Sequence, residues 1–244
     1  MLRFRNFSKE NSIVATYDVT TTTSATRVYG NGFPYAQIWK MYVDGVQLTK
    51  ASSTYKFSTT GPHTVKLVFK PYLYSCASLF HGCTTLTNVD MTNFNTKHCG
   101  NMYGMFYDCK SLVSLNLSHF YTPNVKNIYN MFIRCYALEY LNIENMDTKN
   151  VTNMENVFNG CSKLTSLDLT SFDTSNVTNM TSMFYNCGSL VSLKMMGNVN
   201  KVTTYSTIFM SINPNGTFYY NAAYDYSKLI AQLPTTWEAI AVAV

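Results

Sequence analysis

The chain has 244 residues, enough for one large domain or two small ones. Charged residues make up only 13% and the net charge is +5, with Lys and Arg scattered along the sequence. Nucleic-acid surfaces normally carry a basic stripe, so no nucleic acid is expected as a partner. No apolar run reaches the roughly 18–20 residues that cross a bilayer, so no membrane span is expected.

Residues 1–69 do not repeat. The opening Met1-Leu2-Arg3-Phe4-Arg5-Asn6-Phe7 has no apolar core segment, so no secretion signal is expected there. Short β-branched and aromatic runs at 13–17, 37–43 and 63–69 alternate with turn signals such as Asp44-Gly45 and Gly61-Pro62. They predict a small all-β, sandwich-like domain. Its strand edges and its aromatic residues Phe33, Tyr35 and Trp39 form a candidate attachment surface.

From about 70 to 213 one frame recurs. Cys83, Cys109, Cys135, Cys161 and Cys187 stand 26 residues apart. A Phe precedes each by three residues and a Leu follows by three, from Phe80 and Leu86 to Phe184 and Leu190. A fixed interval marks a solenoid, whose units bury their apolar faces only by stacking on neighbours. In one unit, Leu167 and Leu169 alternate inward as a strand requires. Phe172-Asp173-Thr174-Ser175-Asn176 is a polar corner. Val177, Met180, Met183, Phe184 and Cys187 follow at three- to four-residue spacing, which predicts a short helix capped by Asp173 or Thr174. The predicted unit is strand, corner, helix, turn. About five such units follow an opening half unit that contains Cys76.

Residues 214–244 change character. Gly216-Thr217-Phe218-Tyr219-Tyr220 predicts a strand, Asp225 to Pro234 a capped helix, and Ala239 to Val244 a last strand. This is the C-terminal cap that an open core end demands.

The candidate chemistry is sparse. Five of the seven cysteines fall on one column, where all seven are expected as buried, reduced thiols rather than disulfides. Cys76, His81, Cys83, His98, Cys99 and Cys109 are the nearest approach to a metal site, but no Cys-x-x-Cys spacing supports one. The four histidines sit in dissimilar settings with no acid placed beside them by the repeat, so no catalytic residue is assigned. No metal or cofactor is expected. The outward strand positions form polar columns about 5 Å apart. From these come the candidate binding residues Asn88, Asp90, Asn116, Tyr140, Asn142, Glu144, Asp168 and Lys194. Tyr140 and Glu144 break the small-polar pattern and are the first choices for contact with a glycan or peptide.

The frame L-x-x-L-x-L-x-x-F-[DN]-T-x-x-V-x-x-M-x-x-M-F-x-x-C, complete from Leu164 to Cys187, resembles the BspA-like leucine-rich repeats. These are surface-protein repeats of gut bacteria, mycoplasmas, some protists and gut phages, and the likeness covers about 83–212. The Val43–Val46 turn and the Gly216–Tyr220 tail resemble the ends of such proteins. The resemblance implies an α/β leucine-rich-repeat solenoid used for adhesion, without catalytic residues. Secreted members carry an export signal. Its expected absence here favours a phage virion component attached to a larger protein assembly through its N-terminal domain, over a bacterial surface or exported adhesin. Oligomeric state is left open.

Overall fold

The computed structural model describes residues 10–243. Six strands come first: β1 (Ser12–Val19), β2 (Thr26–Arg27), β3 (Ile38–Val43), β4 (Val46–Gln47), β5 (Thr54–Tyr55) and β6 (Gly61–Phe69). The repeats contribute β7 (Leu86–Asp90), β8 (Ser114–Asn116), β9 (Tyr140–Asn142), β10 (Ser166–Asp168) and β11 (Ser192–Met195). The C-terminal segment adds β12 (Gly216–Asn221), α1 (Ser227–Ile230) and β13 (Trp237–Val242).

The N-terminal part is not a separate sandwich. It forms one five-stranded sheet in the order β4-β3-β6-β1-β7, with β2 and β5 paired apart from it. The fifth strand belongs to the first repeat, and β1 runs antiparallel to it, Ala15 opposite Val89. Alternation places Ile13, Ala15, Tyr17 and Val19 of β1 in the core. Gly30 lies so close to the Ser78 carbonyl that a side chain there would collide with it, and its N–H donates to the Leu79 carbonyl at 2.9 Å. One continuous core therefore joins the two parts.

The predicted strand–helix unit is wrong. The repeats form a mostly-β solenoid with almost no helix; among the described residues the helical segments are the 3-10 turn Tyr35–Gln37 and the four-residue α1, both outside the coils. Where a helix was expected, the chain runs in consecutive turns. Every second N–H crosses to the next coil: Ser78 to the Tyr103 carbonyl (2.8 Å), Phe80 to Met105 (2.8 Å) and Gly82 to Tyr107 (2.8 Å). The intervening N–H groups close tight turns, Leu79 onto Cys76, His81 onto Ser78 and Cys83 onto Phe80. The backbone is thus satisfied between coils instead of within a helix.

Two positions per coil enforce this. Ser78, Gly104, Asn130, Asn156, Ser182 and Thr207 have positive φ, as do Gly82, Asp108, Arg134, Gly160, Asn186 and Ser211 four residues on. A left-handed residue breaks an α-helix, and Gly, Asn and Asp reach that conformation most cheaply. The apolar spacing of Val177, Met180, Met183, Phe184 and Cys187 is compatible with a helix, but it buries the same residues along a chain of turns.

Inside, identical side chains stack. Phe80, Phe106, Phe132, Phe158, Phe184 and Phe209 form one column with ring centroids 5.6–5.8 Å apart. Such pairs contribute about 0.5–1.5 kcal/mol each beyond their burial. Four of the five column thiols donate to the phenylalanine carbonyl of the preceding coil: Cys109 to Phe80 (3.2 Å), Cys135 to Phe106 (3.2 Å), Cys161 to Phe132 (3.3 Å) and Cys187 to Phe158 (3.2 Å). Burial raises all five column thiols above their ordinary pKa, Cys187 to about 12. At the corners the buried hydroxyls of Thr96, Thr122, Thr148 and Thr174 donate to carbonyls of the following coil at 2.7–3.1 Å. Thr174 caps no helix.

Cys76 and Cys99 depart from the expectation of seven free thiols. They meet as a disulfide across the first two coils, with Cα atoms 6.5 Å apart. At the other end, β12 and β13 extend the parallel ladder of β11, Leu193 opposite Phe218 and Phe218 opposite Ala239. The Trp237 indole lies against Gly216, where a Cβ would stand only 2.6 Å from the ring, and donates to the Asn213 carbonyl at 2.7 Å.

Two outcomes follow. Leu167→Ala removes a buried side chain held between coils and costs about 2–5 kcal/mol, whereas Ser166→Ala on the exposed face costs under about 0.5 kcal/mol; denaturant melts of the two variants check this. Thiol titration is expected to find no fast-reacting group in the folded protein, five after unfolding without reductant, and all seven once Cys76–Cys99 is reduced.

Candidate functional site

The strand face is built on Asx turns. Each acidic or amide residue of its middle column accepts, through Oδ1, the N–H two residues on. Asp90 accepts from Thr92 (2.9 Å), Asn116 from Ser118 (3.0 Å), Asn142 from Glu144 (3.1 Å) and Asp168 from Thr170 (2.9 Å). The same turn recurs at the bridge positions Asn101, Asn127, Asn153 and Asn179, and at corners such as Asp147 and Asp173. Half the polar capacity of this column therefore ends each strand. At Asp168 the other carboxylate oxygen accepts from Lys194 Nζ at 3.2 Å.

The candidate residues do not form one continuous surface. Asn88 and Asp90 lie on β7, opposite Thr16 and Val14 of β1, in the antiparallel part of the sheet. Asn116 and Asn142 are neighbours in the parallel β8–β9 pair. Lys194 is opposite Asp168 and its Nζ reaches Oδ2 at 3.2 Å, so that cation is engaged within the face. Tyr140, Asn142, Glu144 and Asp168 come together, with Leu141, Ile143, Thr170 and Ser171, around a depression of about 480 Å³. Tyr140 is 55% exposed, and it stands opposite Ser114 of β8.

That depression marks a seam that sequence reasoning missed. β8 pairs with β9, and β10 through β13 form one sheet, but β9 and β10 do not pair. On the bridge side, Ser75, Asn101 and Asn127 are joined in series, as are Asn153, Asn179 and Thr204, with no bridge between Asn127 and Asn153. The β7–β8 ladder is also open, yet there the Ser75–Asn101 bridge persists. Only the junction of the third and fourth coils is unjoined on both sides among the described residues. The turns still hold it, through Phe132 N–H to the Val157 carbonyl (2.9 Å) and Arg134 to Asn159 (2.7 Å). Nothing in the repeat frame signals the seam, since Leu141 occupies the same place as Leu115 and Leu167. Only its half-buried state departs from theirs.

The attachment candidates divide. Phe33 is 3% exposed and packs edge-on against Phe69 (5.9 Å) and Tyr29 (6.4 Å), so it is a core residue and offers no surface. Tyr35 and Trp39 are 66% and 62% exposed. Trp39 sits at an irregularity in the β3–β6 pairing, with Lys40 Nζ 4.3 Å from its ring centroid. Exposed Tyr72 and Tyr74, which flank His98 on the first coils, were not singled out from the sequence.

One histidine does have an acid beside it, contrary to expectation. His63 Nδ1 lies 2.8 Å from Asp44 Oδ2, and its Nε2 lies 3.0 Å from the Thr59 carbonyl and 3.2 Å from Thr59 Oγ1. With Nε2 donating to a carbonyl, no lone pair is left to take a proton from the hydroxyl, so the arrangement ties turns together and activates no nucleophile. The Asp44 hydrogen bond raises the His63 pKa, against its burial. Among the described residues, no three His, Cys, Asp or Glu side chains converge as metal ligands.

The Asx turns carry a pH signature. The Thr92 backbone N–H lowers the Asp90 pKa, and the Ser175 and Ser227 hydroxyls and N–H groups lower those of Asp173 and Asp225. For Asp168 burial pushes upward, but Thr170 and Lys194 outweigh it and the pKa is lowered. A lowered folded value adds stability that is present above the ordinary carboxylate pKa of about 4 and is lost as pH falls through the folded value. Melting temperatures are thus expected to hold near neutrality and drop in acid below about pH 4. Replacing Asp90, Asp168, Asp173 and Asp225 together by Asn, which keeps the Oδ1 acceptor, should flatten that acid limb.

No curated protein and no solved structure matches the chain. A family described as "Mycoplasma protein of unknown function, DUF285" matches residues 72–142 and 114–218. Those two overlapping stretches span the coils and the start of the terminal cap, more than half of the chain. By its repeats, the chain belongs to the DUF285 family, which is consistent with the BspA-like character of its frame.

Proposed function

We propose that this protein binds rather than catalyses, with the solenoid presenting its strand face outward and the N-terminal sheet joining a larger protein assembly. The observation that carries the reading is how the side-chain chemistry is distributed. Repeated hydroxyl, thiol and carboxamide groups are engaged within and between coils, and the one histidine–aspartate pair is locked in a turn. The exposed groups include a polar strand face and, in the N-terminal part of the chain, the aromatics Tyr35 and Trp39. β4 pairs with β3 at Tyr42 and Val43 and Leu48 N–H reaches the Met41 carbonyl, so among the described residues no strand pairs with the outer edge of Ile38–Lys40.

The assembly we favour is a phage particle, with the protein as a fibre, decoration or tail-associated component that adheres to a host surface, glycan or protein. This rests on the resemblance of the frame and both flanks to arrays found in gut bacteria and their phages. A second reading, an adhesin of a bacterial surface, is favoured by the match to a family described from Mycoplasma. No helix among the described residues is long and apolar enough to cross a membrane, which is compatible with either.

Deleting residues 1–69 is a poor test, because it would strip β1 from β7 and open the core. Point changes on the surface are cleaner. Tyr35→Ala with Trp39→Ala is expected to leave the melting temperature nearly unchanged and abolish incorporation into particles, measured as protein per particle by mass spectrometry. Tyr140→Ala with Glu144→Ala is expected to incorporate normally and lose adhesion. Normal incorporation of the first variant, or failed incorporation of the second, would mean the two roles are assigned to the wrong parts.

A further inference from the structure

We infer that the seam between β9 and β10 is a binding slot for a neutral saccharide, with Tyr140 as its stacking platform and Glu144 as its hydroxyl acceptor. The inference rests on the proposed binding role and deepens it. Three features converge on the same few residues.

The first is the open backbone. In a parallel pair, alternate residues of a strand address its two neighbours. The Tyr140 N–H and the Asn142 carbonyl are spent on the β8 side, toward the Val113 carbonyl (3.3 Å) and the Leu117 N–H (2.8 Å). Leu141 therefore turns its N–H and carbonyl toward β10. On β10, the Thr165 carbonyl and the Leu169 N–H serve β11, so Ser166 and Asp168 turn theirs toward β9. These groups face one another across the slot without joining. Unpaired backbone groups within reach of solvent can take ligand hydroxyls as readily as water. Ser171 Oγ, 3.5 Å from the Ile143 carbonyl, closes one end.

The second is the lining. The depression of about 480 Å³ lies within the range of small-ligand sites, roughly 300–1,000 Å³. Its lining is mixed, with Leu141, Ile143 and the Tyr140 ring beside Asn142, Glu144, Asp168, Thr170 and Ser171. A ring that stacks on C–H groups, beside carboxylate and amide partners, matches the amphipathic surface of a sugar. Glu144 makes no ion pair among the described residues. Asn142 has its Oδ1 engaged in the Asx turn and its N–H2 free to donate. A vicinal diol can donate to Glu144 and accept from Asn142 at once.

The third is charge. Glu144 and Asp168 line the slot, no Lys or Arg is among its lining residues, and Lys194, beside it, is held by Asp168 at 3.2 Å. An acidic sugar or a phosphate would meet carboxylates with no free cation to offset them. An extended peptide would find a single depression lined by eight residues, not the series of pockets for alternate side chains that strand-like recognition uses. The slot also narrows to the turn side, where Phe132 and Phe158 remain stacked at 5.7 Å. A neutral sugar fits these conditions.

The test uses the full chain and a panel of lactose, maltose, methyl mannoside, N,N′-diacetylchitobiose and sialyllactose, read by saturation-transfer NMR and by titration of tyrosine signals. At least one neutral sugar is expected to bind with saturation. Tyr140→Ala and Glu144→Gln should each weaken it about tenfold or more, Ser114→Ala should leave it unchanged, and sialyllactose should bind no better than its neutral counterpart. Absence of binding by every neutral sugar, preference for the sialylated one, or indifference to Tyr140→Ala overturns the site. If adhesion to a host surface survives Tyr140→Ala with Glu144→Gln, the slot is refuted and the wider binding role stands. If the wild-type chain adheres to nothing, the wider role fails on its own measurement.

Discussion

The fold depends on backbone hydrogen bonding that runs from coil to coil instead of along the chain. A helix satisfies itself and can be packed at several angles and distances. A run of turns whose alternate N–H groups must find the next coil has one permitted distance and one permitted register. That constraint explains why the interval between cysteines does not slip, why phenylalanine rings stack within a narrow span of distances, and why four of the five column thiols meet a carbonyl one coil earlier. It also explains the ends. The first coil borrows β1 from outside the repeat, and the last is sealed by β12 and β13, because an uncovered coil would leave its carbonyls and N–H groups without partners.

The solenoid, its period and its inward residues were legible in the sequence because they depend on apolar pattern. The conformation of the segment from Val177 to Cys187 was not. Its Val, Met, Met, Phe and Cys sit at three- to four-residue spacing, which a helix and a ladder of turns bury equally well. The discriminating signal was present in columns that carry no hydrophobicity. Asn156 and Gly160, or Ser182 and Asn186, lie four apart at places where small and amide residues recur, and those residues mark left-handed backbone. Arg134 and Thr207, which reach it at greater cost, blur the column.

The candidate site was legible only in part. Tyr140 and Glu144 stood out because they interrupt columns of small polar residues, and they do flank one depression with Asn142 and Asp168. Asn88 and Asp90 belong to a different sheet environment, because the repeat pattern could not reveal that β7 would pair with β1. Phe33 looked like surface aromatic from its position in a non-repeating segment, yet β6 supplies Phe69 to cover it. The Cys76–Cys99 pair was likewise hidden. A strict column keeps like residues one full period apart, and only the half unit at the start brings two cysteines off that column into contact.

The thiol-to-carbonyl ladder has a consequence for how such a chain changes over generations. Each rung uses the same donor, the same acceptor and the same offset, so interior coils meet along this ladder in the same way. Duplicating or excising one whole period therefore joins surfaces that already fit, and neither terminal structure has to adapt. A shift by any other length would misplace every rung beyond the break. Arrays of this type are free to vary in reach by whole coils, as a chain of interchangeable links does, while the residues that face outward diverge independently of the frame that holds them.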